Sequence, residues 1–192
     1  GVGNVTSAGS FDVAIVQYGD TGAYQWAHRY GDAGDQQIHA IATQYGDGFP
    51  YITGSNTGVM DFGGGPITSA GGLDVFLAKL DCSGNHLWSA GWGDAAHQSG
   101  LALAVDALGD VYLAGDNEGT VNFGGAPIVS AGNQDVFLTK FSSTGTHQWS
   151  QSYGGALYDY TYAVERLAMD DIAVAGYFGS SNVDLGGGPI TR

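Results

Sequence analysis

Polar side chains recur at matching places along this chain and are the first candidates for chemistry: Asp32 with Asp35, Asp94 with His97, and Tyr158 with Asp159. A later stretch adds Asn56, Thr57 and Asp61, and again Asp116, Asn117 and Glu118. Carboxylates beside imidazole or phenol groups in loops could hold a cation, bond a sugar, or act as the acid and base of glycoside hydrolysis. With Trp92 as an exposed aromatic platform, the candidate ligand-binding set is Asp32, Asp35, Trp92, Asp94, His97, Asp116, Glu118, Tyr158 and Asp159. A hydrolase would show one acidic pair facing one pocket. Positions copied along the chain favour a repeated structural or binding use, so no residue is assigned a catalytic role and no enzymatic activity is expected.

Other chemistries find less support. His28, His39, His86, His97 and His147 lack a metal-ligand spacing such as His-Glu-x-x-His. Gly63-Gly64-Gly65 has no following Lys-Ser, so it does not read as a phosphate loop. No cofactor is expected. The metal weighed is calcium, at Asp106 and Asp110, at Gln44 and Asp47, or at Glu165, Asp170 and Asp171. None of these stretches reaches the Asp-x-Asp-x-Asp-Gly density of a strong calcium loop. Cys82 is alone, and its counterparts are Asp20 and Ser143, which places it in a polar turn rather than at a catalytic thiol.

The elements that carry these residues are repeated. Phe11-Asp12-Val13-Ala14-Ile15-Val16-Gln17 returns as Leu73-Asp74-Val75-Phe76-Leu77-Ala78-Lys79 and as Gln134-Asp135-Val136-Phe137-Leu138-Thr139-Lys140. Trp26, Trp88 and Trp149 keep the same phase, as do Gly54, Gly115 and Gly176. Such a period means that one supersecondary unit is copied and stacked. The repeats span residues 11–72, 73–133 and 134–192, after a tail at 1–10 left from a preceding copy. They form one array without internal domain boundaries.

Within the middle copy, residues 74–80 form an apolar run on both faces, as in a strand between two layers. Strands follow at 86–92, 101–105 and 111–115, separated by Asp81-Cys82-Ser83-Gly84-Asn85, Gly93-Asp94 and Ala107-Leu108-Gly109-Asp110. Short extra strands are expected around Val121 and Ile128. Asp12, Asp74 and Asp135 are expected to accept N–H groups from the glycine-rich approach to their strands. The fold class is all-β, a partial β-propeller of four-stranded blades; a three-fold β-prism is the alternative.

The copies resemble the SBBP repeat of bacterial β-propellers. The pattern is carried by residues 71–81, by Gly84 and Trp88, by residues 106–115 and by Phe123-Gly124-Gly125. Phe123-Gly124-Gly125-Ala126-Pro127 also resembles the FG-GAP signature of integrin-type propellers, whose blades often carry calcium loops. The SBBP resemblance implies an extracellular bacterial propeller and brings no catalytic residues. The first copy departs from it at Ala14, Gln17 and 45–50, and the third at Glu165-Arg166 and Met169-Asp170.

With 19 acidic residues against 5 basic ones, the net charge of −14 should repel nucleic acid and anionic membranes. By analogy with related propellers, residues 101–105 are innermost in a blade, followed outward by 111–114, 135–141 and the Trp149 strand. The chain then holds two whole blades between an outer half at 11–30 and an inner half at 160–179. The expected function is a secreted or cell-surface, non-enzymatic scaffold or binding module. It is either a fragment of a longer array or self-associating head to tail. A carbohydrate-binding module and a glycan hydrolase are the alternatives.

Overall fold

The computed structural model describes residues 5–44, 46 and 48–191. Among these the chain is all-β, with one 3-10 turn at Ala168–Asp170. Asp47, Tyr45 and the start of the 1–10 tail lie outside the described residues. Four antiparallel sheets follow one another. The first is the pair β1 (Val13–Tyr18) and β2 (Tyr24–Tyr30). The second has the order β3 (Gln36–Thr43), β4 (Pro50–Asn56), β7 (Asp74–Leu80), β8 (His86–Trp92). Between β4 and β7 the chain folds a small ribbon from β5 (Val59–Met60) and β6 (Ile67–Thr68).

The third sheet repeats the second: β9 (Gln98–Val105), β10 (Val111–Asn117), β13 (Asp135–Phe141), β14 (His147–Tyr153). Its ribbon is β11 (Thr120–Val121) with β12 (Ile128–Val129), where short strands were expected. The last sheet is the pair β15 (Asp159–Arg166) and β16 (Ile172–Phe178), followed by the ribbon β17 (Asn182–Asp184) and β18 (Pro189–Thr191). Strand order within the four-stranded sheets matches the sequence expectation, and β9 starts three residues earlier than the apolar run suggests. Each four-stranded sheet mixes two repeats, because β7 and β8 of one repeat complete the sheet begun by β3 and β4 of the one before.

The sheets pack face to face in chain order. Val13, Ile15 and Tyr30 of the first pair meet Ile52, Phe76, Ala78 and Leu80 of the second sheet, over Met60 and Phe62. On the other face of that sheet, Tyr51, Val75 and Leu77 meet Leu113, Phe137 and Phe141 of the third, with Phe123 between. The third sheet then presents Ala102, Ala104, Tyr112, Ala114 and Leu138 to Val164 and Ile172 of the last pair. This sandwiching explains why β4, β7 and β10 are buried along their whole length. It also explains the alanines of β9, which sits at the most crowded position.

The in-phase glycines have a local cause. β3, β9 and β15 each bulge by one residue opposite the adjoining strand. There Gly54, Gly115 and Gly176 lie against a carbonyl of Gln37, Ser99 and Tyr160, and an added Cβ would stand 1.8, 1.9 and 1.9 Å from it. A side chain at any of the three would push the bulge open. The residues extruded by the bulges are His39, Leu101 and Tyr162.

Candidate functional site

The loops that enter β3 and β9 share one construction. Asp94 Oδ1 accepts the Ala96 N–H and the Gln98 side-chain amide, both at 2.8 Å, and Oδ2 accepts the Thr120 N–H at 2.7 Å. Gln98 Oε1 accepts the Asp94 N–H in return. One copy earlier, Asp32 accepts the Gly34 N–H and Gln36 amide on Oδ1 and the Val59 N–H on Oδ2, each at 2.8 Å. Each carboxylate thus ties the loop entering a sheet to the ribbon leaving the same sheet. Asp32 is held below its usual pKa, first by the Gly34 and then by the Val59 N–H. For Asp94, burial pushes upward, and the Thr120 and Ala96 N–H groups with Gln98 outweigh it, so its pKa is lowered too.

In the third copy the carboxylate has moved from the loop to the first residue of the strand it enters. Gly155 takes the place of Asp94, and Asp159 that of Gln98. Asp159 accepts the Gly155 N–H at 2.9 Å, the Ser180 N–H at 3.1 Å and the Ser180 hydroxyl at 2.7 Å. The link between loop and ribbon survives with different residues. Sequence reasoning missed Gln36, Gln98 and Ser180, although Gln36, Gln98 and Asp159 share a phase that signals a common partner.

Several candidates sit elsewhere than in the loops expected for them. Asp159 opens β15 and is buried, and Asp116 lies inside β10, also buried, rather than in the connection after it. Trp92 is half-buried: it stacks on Phe141 at 4.9 Å and meets Phe123 edge-on at 5.3 Å, because packing between the second and third sheets captures it. Asp35 binds its neighbour loop through backbone, donating N–H to Thr57 Oγ1 and accepting the Thr57 N–H on its carbonyl. His97 is exposed, with Nδ1 accepting the Leu73 N–H at 3.0 Å, and its carbonyl takes the Glu118 N–H.

Asp116, Glu118, Tyr158 and Asp159 do come together, at the junction of the third sheet with the last pair. Burial first, and then the Glu118 charge, push the Asp116 carboxyl up to about 7, against a bond from the Gln134 amide. Tyr158 is exposed and stacks on Tyr160 at 6.1 Å with the rings 6° from parallel, and Tyr160 meets Tyr177 at 4.9 Å. Beside this cluster a groove of about 660 Å³ opens along the third sheet, over Val136, Leu138, Trp149 and Tyr153. Sequence reasoning missed Tyr160, Tyr177 and the groove.

The strand-opening aspartates behave as expected on one oxygen. Oδ2 accepts the N–H of Ala8 in Asp12, of Ala70 in Asp74 and of Ala131 in Asp135. Oδ1 of each is buried without a hydrogen-bond partner. Burial accordingly raises the pKa of Asp74 and Asp135, while at Asp12 the Ala8 N–H and the Arg29 guanidinium reverse the effect of burial. Of the calcium candidates, Asp106 and Asp110 share the Lys140 ammonium at 3.0 and 3.2 Å. The lysine supplies there the positive charge that a cation would bring.

No protein-family model matches the chain. Over 135 residues, 68% of this chain, it is 33% identical to the Regulatory protein FlaEY of Caulobacter vibrioides. The chain spans 13% of that protein's length.

Proposed function

We propose that this chain is part of a secreted or cell-surface bacterial β-propeller with SBBP-type repeats, working as a non-enzymatic scaffold that presents loops on one rim. The observation that carries the reading is the recurrent tie at Asp32 and Asp94, taken over by Asp159 at the start of β15, which spends these carboxylates on fastening the chain that enters each sheet to the chain that leaves it. Stiffened loops on a stacked frame suit binding by several weak, repeated contacts. Sheets stacked in file by two apolar faces favour a propeller over a prism, whose sheets enclose one shared core. The matched stretch within the much longer FlaEY fits a segment of a large polypeptide.

The groups that the ties leave facing outward are the exposed His97 and Tyr158 and the half-buried Glu118. A panel of glycans and extracellular-matrix proteins, probed with the wild-type chain and with a Glu118→Ala, Tyr158→Ala variant, tests this. Binding that drops in the variant supports rim presentation. Multiple-turnover release of product from any panel member would end the non-enzymatic reading. The parallel Tyr158–Tyr160 rings favour a carbohydrate as second reading, since flat aromatic faces stack on sugar rings; glycan-selective binding lost in Tyr158→Ala would establish it.

A further inference from the structure

The repeats differ at one position beside the strand-opening aspartates. Ala14 of β1 stands opposite Arg29 of β2, Phe76 of β7 opposite Gly91 of β8, and Phe137 of β13 opposite Ser152 of β14. Arginine, glycine and serine thus hold one place in three repeats. In the first, Arg29 Nη1 donates to Asp12 Oδ2, the oxygen that also accepts the Ala8 N–H. In the second, Asp74 Oδ2 accepts the matching Ala70 N–H, and Gly91 has no side chain to share it.

At Gly91 the surface opens into a pocket of about 370 Å³. It runs from Asp74, across Gly91 and Trp92 at the end of β8, to Thr120 and Asn122 of the next ribbon. Its walls lie between residues 67 and 127, within the second and third sheets and their ribbons. Trp92, half-buried against Phe123 and Phe141, lends the wall an indole, on which a planar guanidinium stacks. The Thr120 hydroxyl and the Asn122 side-chain carbonyl, which takes the Gly124 N–H at 2.8 Å, are further acceptors for guanidinium N–H groups.

The carboxylate in this pocket is poorly served. Asp74 is 4% exposed, and its Oδ1 has no hydrogen-bond partner. Burial raises its pKa and the Asp94 charge adds to that, against the Ala70 N–H. At Asp12 burial pushes the same way, but the Ala8 N–H and the Arg29 guanidinium reverse it. The two aspartates share a place in the repeat and a backbone donor, and they differ in the cation. A carboxylate held away from water gains most from a charge-assisted bond to a cation that reaches it.

We propose that this pocket binds an arginine side chain of a partner protein, whose guanidinium bonds Asp74 Oδ2 as Arg29 bonds Asp12. Within this chain no arginine fits at position 91, where a Cβ would run into Ile67 Cγ2, so the side chain comes from outside. The net charge of −14 draws basic segments toward the chain. The site uses none of His97, Glu118 and Tyr158, so it goes beyond the rim reading and stands or falls apart from it.

The test is a proton–nitrogen NMR titration of the intact chain with acetyl-Gly-Arg-Gly amide and with its lysine and citrulline counterparts. The arginine peptide should move the Gly91 and Gly93 amides and the Trp92 indole N–H saturably, and more tightly than the lysine peptide. The uncharged citrulline peptide should not move them. Asp74→Asn should weaken binding about tenfold or more, the scale of removing one partner of a buried charge pair. Asp20→Asn, on the exposed turn between β1 and β2, should leave binding unchanged. Gly91→Arg with Ile67→Ala installs the arginine within the chain and should abolish peptide binding, which decides the matter if Asp74→Asn does not fold. The proposal is overturned by no saturable shift at these residues, by equal binding of the lysine or citrulline peptide, by equal losses in Asp74→Asn and Asp20→Asn, or by binding retained in the Gly91→Arg, Ile67→Ala chain. Any of these leaves the scaffold reading standing, because the glycan and matrix panel reads other residues.

Discussion

Lys140 Nζ lies 3.0 Å from Asp106 Oδ2 and 3.2 Å from Asp110 Oδ2, spanning the turn between β9 and β10 from the neighbouring strand β13. The Tyr112 ring sits at 4.7 Å beneath the same ammonium. Asp106 is buried, and its Oδ1 holds the Leu108 and Asp110 N–H groups, so the lysine neutralises a carboxylate that cannot turn to water. Burial pulls the Lys140 pKa down, while Tyr112, Asp106 and Asp110 together raise it above the ordinary lysine value. Lys140→Met should destabilise the chain by about 3 kcal/mol, the lower end for breaking a buried pair, because the lysine is partly exposed. Denaturant titration checks this. A raised lysine pKa contributes stability that is complete at neutral pH and is lost only as the solution passes into strong alkali.

Asp116 acts in the opposite sense. With its pKa at about 7, the folded chain keeps a proton that the unfolded chain releases near pH 4. Stability therefore falls as pH rises from about 4 to about 7, by about 2–4 kcal/mol for this group. Asp116→Asn should match wild type near pH 3 and exceed it at pH 8, with a flatter pH profile of the unfolding midpoint. A midpoint difference that ignores pH would contradict the burial of an ionisable group there.

The Asp94 tie depends on a close approach as well as on charge. A Cβ at Gly119 would stand 2.5 Å from Asp94 Oδ2. Asp94→Ala and Gly119→Ala should each cost about 2–3 kcal/mol, the scale of hydrogen bonds to a charged group. The double variant should cost little more than either one, because both changes break the same link. Chemical denaturation of the four proteins measures the coupling. Since the Asp94 pKa is lowered, its contribution holds above about pH 4 and disappears as acid protonates the carboxylate.

Met169 carries the turn between β15 and β16 in a left-handed conformation, with φ 61° and ψ 26°. In the preceding copy the positive φ falls on Gly109, whose place in the third copy is taken by Asp170. Met169→Gly should raise stability by about 1 kcal/mol, the strain of an L-residue in that region. A thermal melt reads it directly, and no rise would mean that this turn relaxes at no cost.

The all-β class, the strand order and the open half-sheets were legible because each is dictated locally. Apolar runs such as 74–80 need cover on two sides, turns such as Asp81-Cys82-Ser83-Gly84-Asn85 bend the chain at set intervals, and the period forces like to stack on like. The candidate site was legible only as positions. Asp94 and Asp116 look alike as acidic residues near loops, yet one faces three donors and the other is enclosed beside Glu118. That difference is made by Thr120, Gln98 and Gln134, which lie four or more residues away in the chain. Composition thus determined the layers, while tertiary structure alone decided which carboxylates are spent on ties, which tryptophan is stacked and which groove stays open. Backbone pattern is a short-range property, whereas hydrogen-bond partners and desolvation depend on what the fold brings within a few ångströms.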